Sequence, residues 1–398
     1  MSAVGPLDGL RVLDLSRFIA GPFCGMLLGD LGADVVKVER PRSGDEARGL
    51  GPRVGGESLY VMVFNRNKRS VTLNFREPRA QELLRDLAAT ADVLIENFRP
   101  GVLESMGCGW DALRERSPRL VLARISGFGQ DGPLADQPCF DVIAQAMSGL
   151  MEITGQPDGP PTMAGTYVVD YAAALYATIG ILAGLERRHA TGRGQIVDLS
   201  LLDSATSLLV TAIPEHLLLG RSPTRLGNRD RFAAPAQTFR ARDGAWVHLV
   251  GGSDAHFLRL VRAMKREDLL ADPDFATLEA RFRNIDRVEP LVGAWIGGMT
   301  ADEAVEALAQ AEVPAAKVAT LADVVANPQL RHREQIVEVD HPSAGRVPMQ
   351  GVTIKLSESP GSIRRPAPRL GEHTDQVLGE WLALPADRIA ELRSLGAL

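Results

Sequence analysis

Apolar and polar positions follow two rhythms in the first half of the chain. Short apolar runs at Arg11–Leu15, Val35–Val38, Val71–Leu73, Val93–Ile95 and Leu120–Ala123 read as strands. Longer stretches between them, Ala20–Leu31 and Ala80–Leu87, read as helices, with Pro22 acceptable in a first turn. Strands separated by helices of this length imply parallel βαβ units and a doubly wound sheet. A further helix is predicted from Tyr171 to Arg188, ended by Thr191-Gly192-Arg193-Gly194. A strand at Gln195–Leu199 and a helix from Leu202 to about Leu219 follow.

The texture then changes. Residues 221–237, rich in Arg, Pro and Gly, read as a linker after a large α/β region at 1–220. Phe239 to Leu249 reads as a hairpin turning at Asp243-Gly244, and helices are predicted at Ala255–Met264 and Ala301–Gln310. Residues 238–312 are therefore expected to form a smaller α+β domain. Near Val313-Pro314 the α/β pattern resumes, so 313–398 is expected to return to the large domain, with an extended, Pro-rich tail at Gln350–Arg369.

Composition narrows the class. The chain has 398 residues, 45% hydrophobic and 24% charged, as in an ordinary enzyme, and its net charge of −6 argues against general nucleic-acid binding. Only five of the 44 basic residues are Lys, and the Arg excess supplies donors for phosphate and carboxylate groups. Cys24, Cys108 and Cys139 are widely spaced and form no zinc-like pattern, which fits a reducing cytoplasm. Met1–Leu10 has no basic segment followed by an apolar run, so no signal peptide is expected. The longest apolar stretch, about Ala172–Leu185, is interrupted by Tyr and Gly and reads as too short to span a bilayer.

Several chemistries lose their support. The turn after the first strand, Ser16 to Pro22, lacks G-x-G-x-x-G, so a nicotinamide-dependent enzyme is not indicated. There is no Walker lysine motif and no G-x-S-x-G. Basic residues do gather at strand ends: Arg17, Arg40, Lys68, Arg69, Arg76 and Arg99. Singly each reads as surface charge; together they suggest a phosphate-bearing ligand beyond the carboxyl ends of the strands. Asn97 and Phe98 offer an amide and a stacking face, or else belong to a turn fixed by Pro100 and Gly101. Asp170 sits where an apolar stretch meets a helix. It reads either as a capping carboxylate or as a nucleophile kept ionised by the helix start.

The ordered set of segments resembles the family III CoA-transferases, over nearly the whole chain. The pieces are Ala20-Gly21-Pro22, Leu31 to Glu39, Ser43-Gly44-Asp45, Asn65 to Ser70, Glu96 to Gly101, Ser126 to Pro133, Asp141 to Gln145, Asp170, Thr191 to Gln195, and Gly371 to Thr374. The resemblance implies a large Rossmann-like domain built from both chain ends, a smaller inserted α+β domain, and a homodimer of interlocked rings. It identifies Asp170 as the nucleophile. An acyl-CoA would be attacked at its thioester carbonyl to give an aspartyl mixed anhydride. Exchange with a free carboxylic acid and an enzyme thioester would follow, with CoA as co-substrate and neither a metal nor another cofactor. Arg17, Ala20, Arg40, Leu73, Arg76, Asn97, Phe98 and Met106 would line the CoA cleft, with Phe140 and Asp141 beside the substrate. Arg76 stands where relatives carry Lys. Gly251-Gly252 lies where the family has a glycine loop that closes over the site and excludes water.

Racemases of the same superfamily carry a His directly before the position of Asp141; here it is Phe140, which cannot carry a proton. That favours transfer over 2-methylacyl-CoA epimerisation, and the intact Asp170 favours it over a non-catalytic CoA-binding protein. The general form around Phe128–Pro133 and Ser148–Met151 is similar to members using succinyl-CoA and a second dicarboxylic acid. Arg225, Arg229 and Arg231 are candidates to pair with a distal carboxylate, or are simply solvated.

Overall fold

A computed structural model describes residues 5–398. The first four residues, part of the Met1–Leu10 stretch considered for a signal peptide, lie outside the described residues. The chain divides into two compact units. The larger holds the residues up to Met151, Met163–Leu218 and Pro328–Leu398; the smaller holds Glu152–Thr162 and Leu219–Asn327.

The larger unit is built on β1 (Arg11–Asp14), β2 (Asp34–Glu39), β3 (Lys68–Thr72), β4 (Val93–Glu96), β5 (Val121–Ser126) and β6 (Ile196–Ser200). All neighbours pair in parallel, in the order β3-β2-β1-β4-β5-β6. The strand order reverses between β1 and β4, and such a switch point opens a crevice at the carboxyl ends of the strands. The near-continuous apolar runs of these strands follow from cover on both faces. On one face, α1 (Ala20–Asp30) is buried almost all round, with Cys24 and Leu28 in the core. On the other, α2 (Pro78–Thr90) buries Ala80, Leu83, Leu84 and Leu87, one stripe at helical spacing.

Two helices carry the site. The first is α3 (Asp141–Met147) and the second α4 (Val168–Thr191), which ends at Gly192 with φ 71°. The sheet-facing stripe of α4 is Val169, Ala173, Ala177, Ile181 and Leu185. Small residues let it approach closely: a Cβ on Gly180 would lie 2.5 Å from Val197 Cγ1. This helix is 24 residues long and by length and composition alone is apolar enough to cross a membrane. The apolar stretch read as too short is longer than it looked, because Tyr and Gly interrupt its hydropathy without breaking the helix. The single helix predicted at 202–219 is two, α5 (Leu201–Ser207) and α6 (Ala212–Leu219), separated at Val210, which has φ 50°.

In the smaller unit the predicted hairpin is present: β7 (Ala236–Arg240) pairs antiparallel with β8 (Trp246–Val250), and Gly244 takes φ 84° in the turn. α7 (Asp254–Ala263), α8 (Leu278–Arg283), α9 (Ile285–Gly297) and α10 (Ala301–Gln310) pack around a core of Phe239, Val247, Phe257, Val292 and Leu308. The pattern resuming at Val313-Pro314 belongs here rather than to the large domain. Residues Ala315–Lys317 form β9, which pairs antiparallel with β8. A three-residue edge strand has too few positions to show which sheet it joins.

The chain returns to the larger unit at Pro328. A hairpin of β10 (Ile336–His341) and β11 (Gly345–Gln350) is followed by an irregular stretch. α11 (Thr374–Leu382) and α12 (Ala386–Ser394) then complete the α2-side core with Val377, Leu378, Trp381 and Leu392. Arg364 fastens the extended stretch to the end of α1, donating to the carbonyls of Gly29, Gly32 and Ala33 at 2.8–3.0 Å.

Candidate active site

Asp170 is not the cap of its helix. The cap position is Tyr167, and Asp170 is the third residue of α4. The capping carboxylate comes from elsewhere: Asp141 Oδ2 accepts the backbone N–H groups of Val169 at 2.7 Å and Asp170 at 3.0 Å. Asp141 is buried, and Gln145 one turn later donates to its Oδ1. Gln145 Oε1 in turn accepts from the N–H of Ala164 at 2.9 Å. The Asp-x-x-x-Gln spacing thus places both side chains on one face of α3, where they brace the start of α4.

This arrangement reverses an expectation about charge. The Asp170 carboxyl is pushed from the ordinary 3.8 up to about 7, by burial first and by the Asp141 charge second. The helix N–H groups expected to hold it ionised are engaged by Asp141, so burial wins. A carboxylate with this basicity is a better nucleophile than an exposed one, once deprotonated. Cys139 lines the same pocket, but burial and the charges of Asp170 and Asp141 push its thiol up to about 11. It holds its proton and does not compete as a nucleophile.

Two pockets share Asp170, and a larger cleft adjoins one of them. A cleft of about 960 Å³ runs along the carboxyl ends of β1–β3 and carries Arg17, Arg40, Arg42, Arg76 and Arg393. An inner pocket of about 250 Å³ shares Arg17 and Phe98 with the cleft and reaches Asp170. An outer pocket of about 250 Å³ shares Phe18, Ile19, Phe140 and Asp170 with the inner one and adds Leu50, Tyr60, Val142 and Tyr167. Phe140 is 61% exposed and meets the Phe18 ring edge-on at 5.9 Å.

The structure sorts the residues named from sequence. Arg17, Arg40, Arg76, Phe98 and Met106 border the cleft. Ala20 and Asn97 border the inner pocket instead. Leu73 lines neither; it is fully buried in the core, and its neighbours Asn74, Phe75 and Arg76 face the cleft. Asn97 is engaged with protein rather than open to a ligand: Oδ1 accepts the Arg17 N–H at 2.8 Å, and Nδ2 donates to the Arg17 carbonyl at 2.7 Å. The Arg17 guanidinium lies over the Phe98 ring at 5.1 Å and shares Glu46 Oε1 with Arg40, at 2.9 and 2.6 Å.

Gly251 and Gly252 are buried within the smaller unit. The Gly251 N–H donates to Pro235 at 2.9 Å, and the Gly252 carbonyl accepts from Arg281 at 2.7 Å. Arg225 and Arg229 are paired within that unit, with Glu152 at 3.0 Å and with Asp286 and Glu289 at 2.7 Å.

Sequence reasoning did not single out Arg393, Tyr60 or Gln145. Arg393 reaches the cleft from a helix near the chain end, where no local signal marks it; Gln145 was visible as the fourth residue after Asp141.

The family model for CoA-transferase family III matches residues 7–374. The chain belongs to CoA-transferase family III. It is 39% identical to the succinyl-CoA–D-citramalate CoA-transferase of Chloroflexus aurantiacus, over 98% of this chain and 97% of that one. It is 41% identical to the succinyl-CoA:mesaconate CoA-transferase of Haloarcula marismortui, over 95% and 96%. Among solved structures, a CAIB/BAIF family protein from Brucella suis superposes with a TM-score of 0.86 at 36% identity, covering 95% of this chain and 100% of that chain. This family III enzyme therefore has a frame in which a CoA thioester and a carboxylic acid are the reactants. Its arginine-lined cleft and the pockets at Asp170 are the places to assign to them.

Proposed function

We propose that this transferase moves CoA from succinyl-CoA to a second small dicarboxylic acid through an anhydride on Asp170. The observation that carries the reading is the adjacency of the arginine-lined cleft to the inner pocket that Asp170 lines, the two sharing Arg17 and Phe98 as wall residues. The relatives' shared donor supports succinyl-CoA. CoA phosphates would lie among Arg40, Arg42, Arg76 and Arg393, where guanidinium forks suit them.

The Asp170 carboxylate attacks the thioester carbonyl, the C–S bond breaks, and CoA leaves as thiolate. The thiolate then attacks the aspartyl carbonyl, releasing the first acid and leaving an enzyme thioester. The acceptor carboxylate attacks that thioester, expels the thiolate and forms a second anhydride. Return of the thiolate to the acceptor carbonyl gives the new acyl-CoA and frees Asp170. Each step exchanges one activated acyl bond for another, so no ATP is needed. Water has to be kept from the anhydrides. The interlocked homodimer belongs to this reading. Support for it lies in the exposed apolar side chains Ile179 on α4, Val210, and Leu217 and Leu218 on α6. The cytoplasm is the compartment proposed.

The test is incubation with a panel of acyl-CoA donors and free acids, reading new thioesters by mass spectrometry. A new acyl-CoA formed without ATP, and lost in Asp170→Ala, supports the reading. No transfer, with α-proton exchange into a branched acyl-CoA, would replace it with the epimerase.

A further inference from the structure

The turn Ser16-Arg17-Phe18 borders the cleft and both pockets. Arg17 borders the cleft and the inner pocket, and Phe18 borders both pockets beside Asp170. Phe18 has φ 63°, a left-handed conformation that a bulky side chain adopts only when its surroundings impose it.

The surroundings do impose it. The Ser16 N–H donates to Asp14 Oδ1 at 2.9 Å, and the Ser16 carbonyl accepts from Lys37 Nζ at 2.7 Å. Both backbone groups of Arg17 are held by Asn97. The Phe18 N–H donates to Asp45 Oδ1 at 3.2 Å. Thus every backbone polar group from the Ser16 N–H to the Phe18 N–H is fixed by a side chain. Two of those side chains are themselves an ion pair, Lys37 Nζ to Asp45 Oδ2 at 3.0 Å, each 1% exposed. Lys37 borders none of the three cavities, and Asp45, 2% exposed, borders only the cleft. An apolar pair would fill the same space at lower desolvation cost, so burying these charges calls for a reason beyond packing.

The geometry points to Lys37 and Asp45 as positioning residues: their buried pair locks the Ser16–Phe18 turn so that a thioester carbonyl arriving from the cleft meets Asp170. This rests on the anhydride chemistry proposed above. A turn that shifts by about an ångström misaligns attack and lowers turnover by roughly a hundredfold. Binding of CoA along the rest of the cleft is left intact.

Two full-length variants test it, Lys37→Met and Lys37→Met/Asp45→Leu. The single variant strands a buried carboxylate, so both its melting temperature and its kcat should fall. The double variant replaces both charges with apolar near-isosteres and should regain part of the melting temperature lost in the single variant. Its kcat should nevertheless stay about 30-fold or more below wild type, with KM for the acyl-CoA within about threefold. Its crystal structure should show Phe18 out of the left-handed region. Recovery of kcat together with melting temperature would reduce the pair to a structural role and overturn the proposal. If the wild-type chain transfers no CoA, the functional reading fails by itself; the double variant's structure then decides, and an unmoved turn refutes the lock. Should the double variant not fold, Asp45→Ala, which removes the acceptor for the Phe18 N–H and the partner of Lys37, must show the same split between kcat and KM or the proposal fails.

Discussion

Protonation of Asp170 should govern both the rate and the stability of this enzyme, in opposite directions. The perturbation is pH, with Asp170→Asn as the reference. Raising a carboxyl from 3.8 to about 7 corresponds to about 4 kcal/mol against charging it, at 1.36 kcal/mol per pH unit. The pocket is open to solvent, which screens the charge and leaves about 2 kcal/mol. Between pH 4 and 7 the unfolded chain has lost this proton and the folded chain still holds it. Stability from this group therefore falls as pH rises through that window and is flat above it. In the proposed chemistry Asp170 attacks in its deprotonated form, so kcat/KM should rise with pH and level off above about 7. The assays are initial rates of thioester formation and thermal melts, each from pH 5 to 9. At pH 8, Asp170→Asn should melt higher than wild type and be inactive; the gap should narrow steadily as pH falls from 7 to 5. An acidic limb already complete at pH 5, or an Asp170→Asn curve parallel to wild type, would refute the burial reasoning.

Further outcomes follow from neighbouring contacts. Asp141→Ala strips the first turn of α4 of its cap and should lower stability by about 1–2 kcal/mol in a thermal or urea melt. Loss of its charge should also move the acidic limb of the rate profile to lower pH. Arg40→Ala and Arg76→Ala should each raise KM for the acyl-CoA by about tenfold at low salt and leave kcat nearly unchanged, the difference shrinking as salt is added. Arg281→Met leaves the carbonyls of Ala234, Gly252 and Phe275 without their buried donor, and should cost the smaller unit about 3 kcal/mol or more by denaturant titration.

The sequence by itself determined the repeated elements and, through the family resemblance, the candidate nucleophile. Strands such as Val35–Val38 and helices such as Ala301–Gln310 are set by local periodicity, because each needs one buried face and the spacing of apolar residues marks it. The arginines at strand ends were legible because a parallel sheet delivers its strand ends to one edge; Asp170 was legible from its place at a helix start and from the resemblance. The tertiary structure alone decided how those groups behave. Whether a carboxylate near a helix start is ionised depends on which groups take the free N–H donors, and here Asp141, 29 residues earlier, takes them. Whether Asn97 meets ligand or protein depends on Arg17, 80 residues away. Arg393 joins the cleft only because its helix packs on the α2 side of the sheet. Local pattern fixes which face of an element is buried; it carries no record of which distant polar groups will meet there, and those meetings set charge, reach and the geometry of attack.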